Sequence, residues 1–98
     1  MLLFEWNKDK AQKNFRIHEV SFDEASTAFK DILSLTVYDP RHSDSEGRFV
    51  LIGNSFANRI LIVVHTERNN KIRIISARKG TRKEKKQYEE NAKRSRHA

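Results

Sequence analysis

Arg59-Ile60-Leu61-Ile62-Val63-Val64-His65-Thr66 and Lys71-Ile72-Arg73-Ile74-Ile75-Ser76-Ala77, joined through Glu67-Arg68-Asn69-Asn70, are the stretch whose reading decides the fold. Both runs have the length and apolar content of strands, and the short Asn69-Asn70 connection favours antiparallel pairing. On a two-residue period Leu61, Val63, His65 and Glu67 share one face of the first strand, and Ile60, Ile62, Val64 and Thr66 the other. Both faces stay apolar until the far end, which predicts a central strand with His65 and Glu67 emerging where the sheet meets solvent. The same period sorts the second strand into Lys71, Arg73, Ile75 and Ala77 against Ile72, Ile74, Ser76 and Arg78. Arg73 is then a cation inserted on an apolar side, and it requires an anionic partner, internal or external.

Working outward, Arg48 to Asn54 reads as the strand before this pair and Leu33 to Asp39 as another, stopped by Pro40, with a polar loop over residues 41–47. After the pair, Gly80-Thr81-Arg82-Lys83-Glu84 supplies a capping box, and residues 82–94 are strong helix formers with Glu89/Lys93 and Glu90/Arg94 at i, i+4. Residues 95–98 are expected to fray as a basic tail. At the other end, alternation of Leu2, Phe4 and Trp6 predicts a short first strand. Asn7 offers an N-cap for a short helix over residues 8–15 with Ala11 and Phe15 on one face. Ser21 and Glu24 form the other capping box, opening a helix over about residues 22–31 that buries Phe22, Ala25, Ala28 or Phe29, and Ile32. The order predicts one α+β domain over residues 1–94: a mostly antiparallel sheet of four to five strands with helices packed on one face.

The chain has 98 residues and a formal net charge of +7. Residues 78–98 hold nine Lys or Arg against three Glu, so six of those seven units sit in the last fifth of the chain. Such a balance makes RNA, DNA or an acidic protein the leading partner classes. Cysteine is absent, which excludes disulfides and thiolate metal sites and agrees with a cytoplasmic setting. No run is long and apolar enough to span a bilayer, and the start of the chain lacks the pattern of an export signal. His18, His42, His65 and His97 show no ligand spacing, and no glycine-rich phosphate loop is present, so neither a metal nor a cofactor is expected.

The residues that could do chemistry cluster in the second half. Metal-free RNA cleavage needs a base for the 2′-hydroxyl, an acid for the leaving 5′-oxygen, and cations for the charge on the phosphorane. His65, Glu67, Arg73 and Arg78 supply these residue types as the candidate catalytic group. Arg68, Ser76, Arg82, Lys83 and Lys86 are candidates for holding RNA, since guanidinium binds phosphate bidentately and stays charged. Each also has a plainer reading. A strand-end histidine is commonly a hydrogen-bonded structural residue, Glu67 with Arg68 fits a hairpin ion pair, and the run from Arg82 to Lys86 fits a solvated helix face.

The motifs Phe4-Glu5-Trp6-Asn7-x-x-Lys10-Ala11-x-x-Asn14, Val20-Ser21-Phe22-x-Glu24-Ala25, His42-Ser43, Glu46-x-Arg48, Ile52-Gly53, Val64-His65-Thr66-Glu67-Arg68, Arg73-Ile74-Ile75-Ser76-Ala77-Arg78 and Arg82-Lys83-Glu84 run in order along the chain. Together they resemble the BrnT family of bacterial toxins over roughly residues 4–90. The resemblance implies a RelE-like ribonuclease fold and a toxin that cleaves RNA and inhibits translation. It also implies a BrnA-like antitoxin that binds the toxin directly and carries the operator-DNA-binding domain of the pair. The competing expectation is a non-catalytic nucleic-acid-binding module, for which phosphate contacts from the basic C-terminal helix would suffice. A third use of the basic face is to dock an acidic antitoxin.

Overall fold

The computed structural model describes residues 1–42 and 46–97. In chain order it contains β1 (Phe4–Glu5), α1 (Lys8–His18), α2 (Phe22–Thr27) with a 3-10 turn at Ala28–Lys30, β2 (Leu35–Asp39), a 3-10 turn at Pro40–His42, β3 (Arg48–Asn54), β4 (Ile60–Arg68), β5 (Lys71–Lys79) and α3 (Arg82–His97). The five strands form one sheet in the order β1-β5-β4-β3-β2. Strands β2 to β5 are an antiparallel meander, and β1 joins the free edge of β5 in parallel through Phe4 opposite Ile72 and Glu5 opposite Arg73.

Local chemistry explains most element boundaries. Asn7 Oδ1 accepts the Lys10 amide at 2.9 Å to open α1, and Glu19 closes it in the left-handed region at φ 57°. Ser21 Oγ accepts the Glu24 amide at 3.0 Å, but the Glu24 carboxylate does not return to complete that box. It turns instead to Ser55 at 2.6 Å and to the Arg59 guanidinium, pinning α2 to the β3–β4 turn, and these partners hold its pKa below the usual carboxylate range. At α3 the reciprocal box is complete: Thr81 N–H donates to Glu84 Oε1 at 2.9 Å, and Glu84 N–H to Thr81 Oγ1 at 3.2 Å.

Helix α2 is shorter than its sequence pattern suggests. The chain leaves helical geometry after Lys30 because the Asp31 carboxylate accepts the Leu33 amide at 2.9 Å and the Asn54 amide at 2.8 Å, which fixes a turn. Ile32, expected in the core, is consequently 97% exposed. At the other end of the chain α3 continues to His97 rather than stopping at residue 94, with Ser95 Oγ bonded to the Asn91 carbonyl at 3.1 Å. Ala98, the last residue of the expected tail, lies outside the described residues, as do residues 43–45 of the expected 41–47 loop.

The sheet is covered on both faces, which corrects the expectation of helices on one. On one face α2, with the residue Val20 before it and the turn residue Ala28 after it, brings Val20, Phe22, Ala25 and Ala28 against Leu51, Leu61, Val63, Ile74 and Ala77, all nearly or fully buried, and Ala11 of α1 packs against them. On the other, Tyr88 of α3 packs on Ile52 and Ile62 with Leu33, Val50 and Ile60 around them. The reason lies in β3 and β4, which are apolar on both sides and leave a hydrophobic face wet unless a second layer covers it. Tyr88 also donates its hydroxyl to Asp31 at 2.5 Å, so the same residue supplies both apolar area and a polar tether.

One polar side chain is built into the first layer. The Asn14 amide donates to the Ala77 carbonyl at 2.9 Å and to the Val20 carbonyl at 3.0 Å, and its oxygen accepts the Ala77 amide at 3.1 Å. Strand β1 pairs with β5 only at Ile72 and Arg73, so the Asn14 side chain satisfies backbone groups that this edge leaves buried without a strand neighbour.

Candidate functional site

Strict alternation along β5 separates Arg73 from Arg78; the observed register unites them. Val64 stands opposite Ser76, but His65 stands opposite Ile74 and Thr66 opposite Arg73, so β5 carries one extra residue at this point. A β-bulge of this kind re-aims every side chain beyond it. Arg73, Ser76 and Arg78 therefore share the α3 face of the sheet. Ile74 and Ala77, three residues apart, are 2% and 1% exposed in the same core cluster on the opposite face, as this register requires. Arg73 and Arg78 stand about 16 Å apart along the backbone at the usual rise per strand residue.

Arg68, Arg73 and Arg78 each meet a carboxylate. Arg78 donates from Nη1 to Glu84 Oε1 at 2.8 Å and from Nη2 to Glu84 Oε2 at 3.0 Å, the parallel two-bond geometry of a strong guanidinium–carboxylate pair. Hydrogen bonding to Arg78 is the main cause that lowers the Glu84 pKa to about 2, and the Arg78 pKa is raised in turn. Arg78 Nη1 also donates to the Lys79 carbonyl at 3.4 Å, and the side chain stays 42% exposed. Arg73 Nη1 donates to Glu5 Oε2 at 2.7 Å across the β1–β5 pair, which answers the need for an internal anion. Arg68 donates from Nε to Glu46 Oε2 at 2.9 Å and from Nη2 to Oε1 at 2.5 Å. The Glu46 carboxyl is held below its ordinary range first by that pair and then by the fields of Arg73 and Arg48. The wide end of the α3 face is thus a cluster of guanidinium groups, with Thr66 Oγ1 donating to the Gly47 carbonyl at 2.7 Å beside them.

His65 and Glu67 are not part of this cluster. His65 lies on the α1–α2 side of β4, 5% exposed, edge-on to Phe29 at 4.8 Å and stacked on Phe49 at 5.9 Å between ring centroids. Its Nδ1 lies 3.3 Å from the Val63 carbonyl oxygen. Burial lowers its pKa below the ordinary histidine value, so the ring is neutral at pH 7. Glu67, two residues on, is exposed on the same side at the hairpin end. The sheet backbone separates both from Arg73 and Arg78: ordinary alternation does this for Arg78, and the bulge does it for Arg73 by moving that residue to the α3 face while His65 stays on the other.

The remaining sequence candidates divide cleanly. Ser76 is half-buried between Arg73 and Arg78, and its hydroxyl makes no hydrogen bond to a described residue. Arg82, Lys83 and Lys86 are exposed on the first turns of α3, directly after the Arg78–Glu84 pair. Glu5, Glu46 and Glu84, which hold the arginines, were not among the sequence candidates. Glu84 carried a visible signal, its capping box, whereas nothing local ties Glu5 to a residue 68 positions away. Among the described residues no three His, Cys, Asp or Glu side chains come together as metal ligands would, and no helix is long and apolar enough to cross a membrane.

A family model for the ribonuclease toxin BrnT of type II toxin-antitoxin systems matches residues 6–84. Among solved structures, the fold is similar to that of the Brucella abortus ribonuclease toxin BrnT, with a TM-score of 0.61 and 18% sequence identity over 84% of this chain and 100% of that one. At that identity the likeness concerns the fold. No curated protein matched this chain.

Proposed function

The chain belongs to the BrnT family of ribonuclease toxins of type II toxin-antitoxin systems, and from that premise we propose that it cleaves RNA on the α3 face of its sheet. The observation that carries this reading is the bulge in β5, which gathers Arg73, Ser76 and Arg78 on one face beside the cationic start of α3. Arg73 and Arg78 reach from either side toward one phosphate of a single strand, Ser76 between them offers it a hydroxyl, and Arg82, Lys83 and Lys86 extend the track. Arg68 closes its far end through the pair with Glu46.

The reaction in this reading is metal-independent: the 2′-hydroxyl gives its proton to solvent as its oxygen attacks the adjacent phosphorus, the P–O5′ bond breaks, the leaving 5′-oxygen takes a proton from solvent, and the products are a cyclic phosphate and a 5′-hydroxyl end. A guanidinium that meets the charge developing on the phosphorane lowers the barrier more than it strengthens ground-state binding. The two arginines are the catalytic residues on this account, and His65 acts by filling the core between Phe29 and Phe49. Loss of cellular RNA accounts for inhibited translation, and a RelE-like mode of action goes with this reading. A BrnA-like antitoxin neutralises the chain in the cytoplasm by covering the same cationic face, and operator DNA is reached only through that partner.

The test is to induce the chain in a bacterium with and without its neighbouring gene product, following growth and total RNA. Arrest with RNA decay, relieved by the neighbour and absent for Arg73→Ala and Arg78→Ala, is the expected result. Normal growth and intact RNA from folded protein would favour a binding module instead.

A further inference from the structure

We propose that Glu84 is a positioning residue for Arg78: it fixes the plane of the guanidinium for phosphate while weakening the hold on RNA. The inference rests on the reading of Arg78 as a phosphate ligand and adds a residue that this reading does not need for binding.

The geometry separates two duties of one carboxylate. A capping box is served equally by Glu or Gln, because one side-chain oxygen is enough to accept the backbone N–H. Here Glu84 Oε1 accepts the Thr81 amide, yet both carboxylate oxygens also receive Arg78, and the second oxygen has no part in the cap. Glu84 is itself tied down. Its own amide is bonded to Thr81 Oγ1, and it lies one turn before Tyr88, which anchors α3 to the sheet and to Asp31. A rigid helix start therefore holds a carboxylate, and the carboxylate holds an otherwise flexible arginine through two parallel bonds. The side chain of Arg78 is 42% exposed and that of Glu84 24%, so the pair sits at the rim, where the outer edge of the guanidinium can meet an incoming phosphate.

Charge makes the consequence signed. A phosphate that approaches Arg78 also approaches the negative charge on Glu84, so the carboxylate opposes binding of RNA while it orders the group that binds. A residue present only for stability would leave kcat unchanged when its charge is removed and the fold is kept. Removing its charge while keeping its shape should tighten RNA and slow cleavage, a combination that loss of structure does not produce.

The experiment compares Glu84→Gln, Glu84→Asp and Arg78→Ala with the wild-type chain on a short single-stranded RNA that the wild type cleaves. Binding is read separately with the same RNA carrying a 2′-deoxy nucleotide at the cut, which removes the attacking hydroxyl. For Glu84→Gln we expect kcat to fall roughly tenfold from lost orientation, and the Kd for the uncleaved RNA to fall roughly threefold because one negative charge has left the site. Glu84→Asp keeps the charge but shortens the reach, so kcat should fall similarly with no gain in affinity. A fully active Arg78→Ala would overturn the phosphate reading and this proposal with it. An inactive Arg78→Ala beside unchanged kcat in both Glu84 variants would leave the first standing and defeat the second. Weaker RNA binding in Glu84→Gln together with a lowered Tm would assign Glu84 a structural role only. Should Glu84→Gln fail to fold, Glu84→Asp decides alone, since a wild-type kcat in it excludes positioning.

Discussion

The two faces of the sheet are made from alternating residues of the same strands, yet they treat polar groups in opposite ways. On the α1–α2 face two polar side chains are shut away: His65 is enclosed by Phe29 and Phe49, and Asn14 bonds the backbone of Ala77 and Val20. On the α3 face the polar groups are arginines paired with carboxylates, with side chains still 28% exposed for Arg73 and 42% for Arg78. One face uses polarity to complete a core, and the other keeps charge ready for a polyanion. The lesson is that proximity in sequence misleads here: His65 and Arg73 lie near each other along one hairpin and on opposite sides of it.

The largest effect that would sharpen this contrast comes from Arg78→Ala and Arg73→Ala. Each should reduce RNA cleavage by about 10²-fold or more, as loss of a group aimed at developing charge does. Melting temperature should move little, because a partly exposed ion pair adds roughly 0–1 kcal/mol to stability. Full activity in either variant, measured with folded protein, would break the assignment of chemistry to the α3 face.

The complementary change on the dry face is His65→Ala, expected to destabilise the fold by about 2–4 kcal/mol through the cavity between two aromatic rings. Denaturant melts measure that loss, and cleavage per folded molecule should stay near the wild-type value. A stable but inactive His65→Ala would return His65 to the catalytic group. Asn14→Ala should cost about 1–3 kcal/mol by leaving the Ala77 backbone groups unsatisfied, again without change in specific activity.

A smaller effect concerns pH. The folded His65 pKa is lowered, chiefly by burial, from an ordinary value of 6.5. Below that value the unfolded chain binds a proton that the folded chain resists. The stability this contributes is complete above pH 6.5 and is lost as pH falls toward the lowered folded value. His65→Phe should flatten the Tm profile across that window, and an unaltered slope would show that the ring is not the group responsible. Smallest of all, Arg68→Ala should shift stability by roughly 0.5 kcal/mol or less, since its pair with Glu46 is solvated. Melts at low and high salt would check that.

Much of the architecture was legible in residues alone. The alternation in Arg48–Asn54 and Ile60–Arg68, the Asn69-Asn70 turn and the capping residues Asn7, Ser21 and Thr81 locate the strands of the meander and the starts of all three helices. The apolar character of both sides of β4 also holds the clue that both faces need cover, although the order of elements alone predicts one layer of helices. Ile32 misled because its helical phase is apolar, while the Asp31 carboxylate ends the helix by capturing two amides. In the site, Arg73, Arg78, Ser76 and the cations of α3 were identifiable from charge and residue type. Their carboxylate partners Glu5 and Glu46 were not, because each comes from a distant segment.

What the sequence by itself determined is therefore the set of elements and the excess of positive charge, since propensity, capping and periodicity act over a few residues. Only the tertiary structure decided which residues form the site. One extra residue in β5 reverses the facing of everything beyond it, and a bulge is a property of two paired strands rather than of either alone.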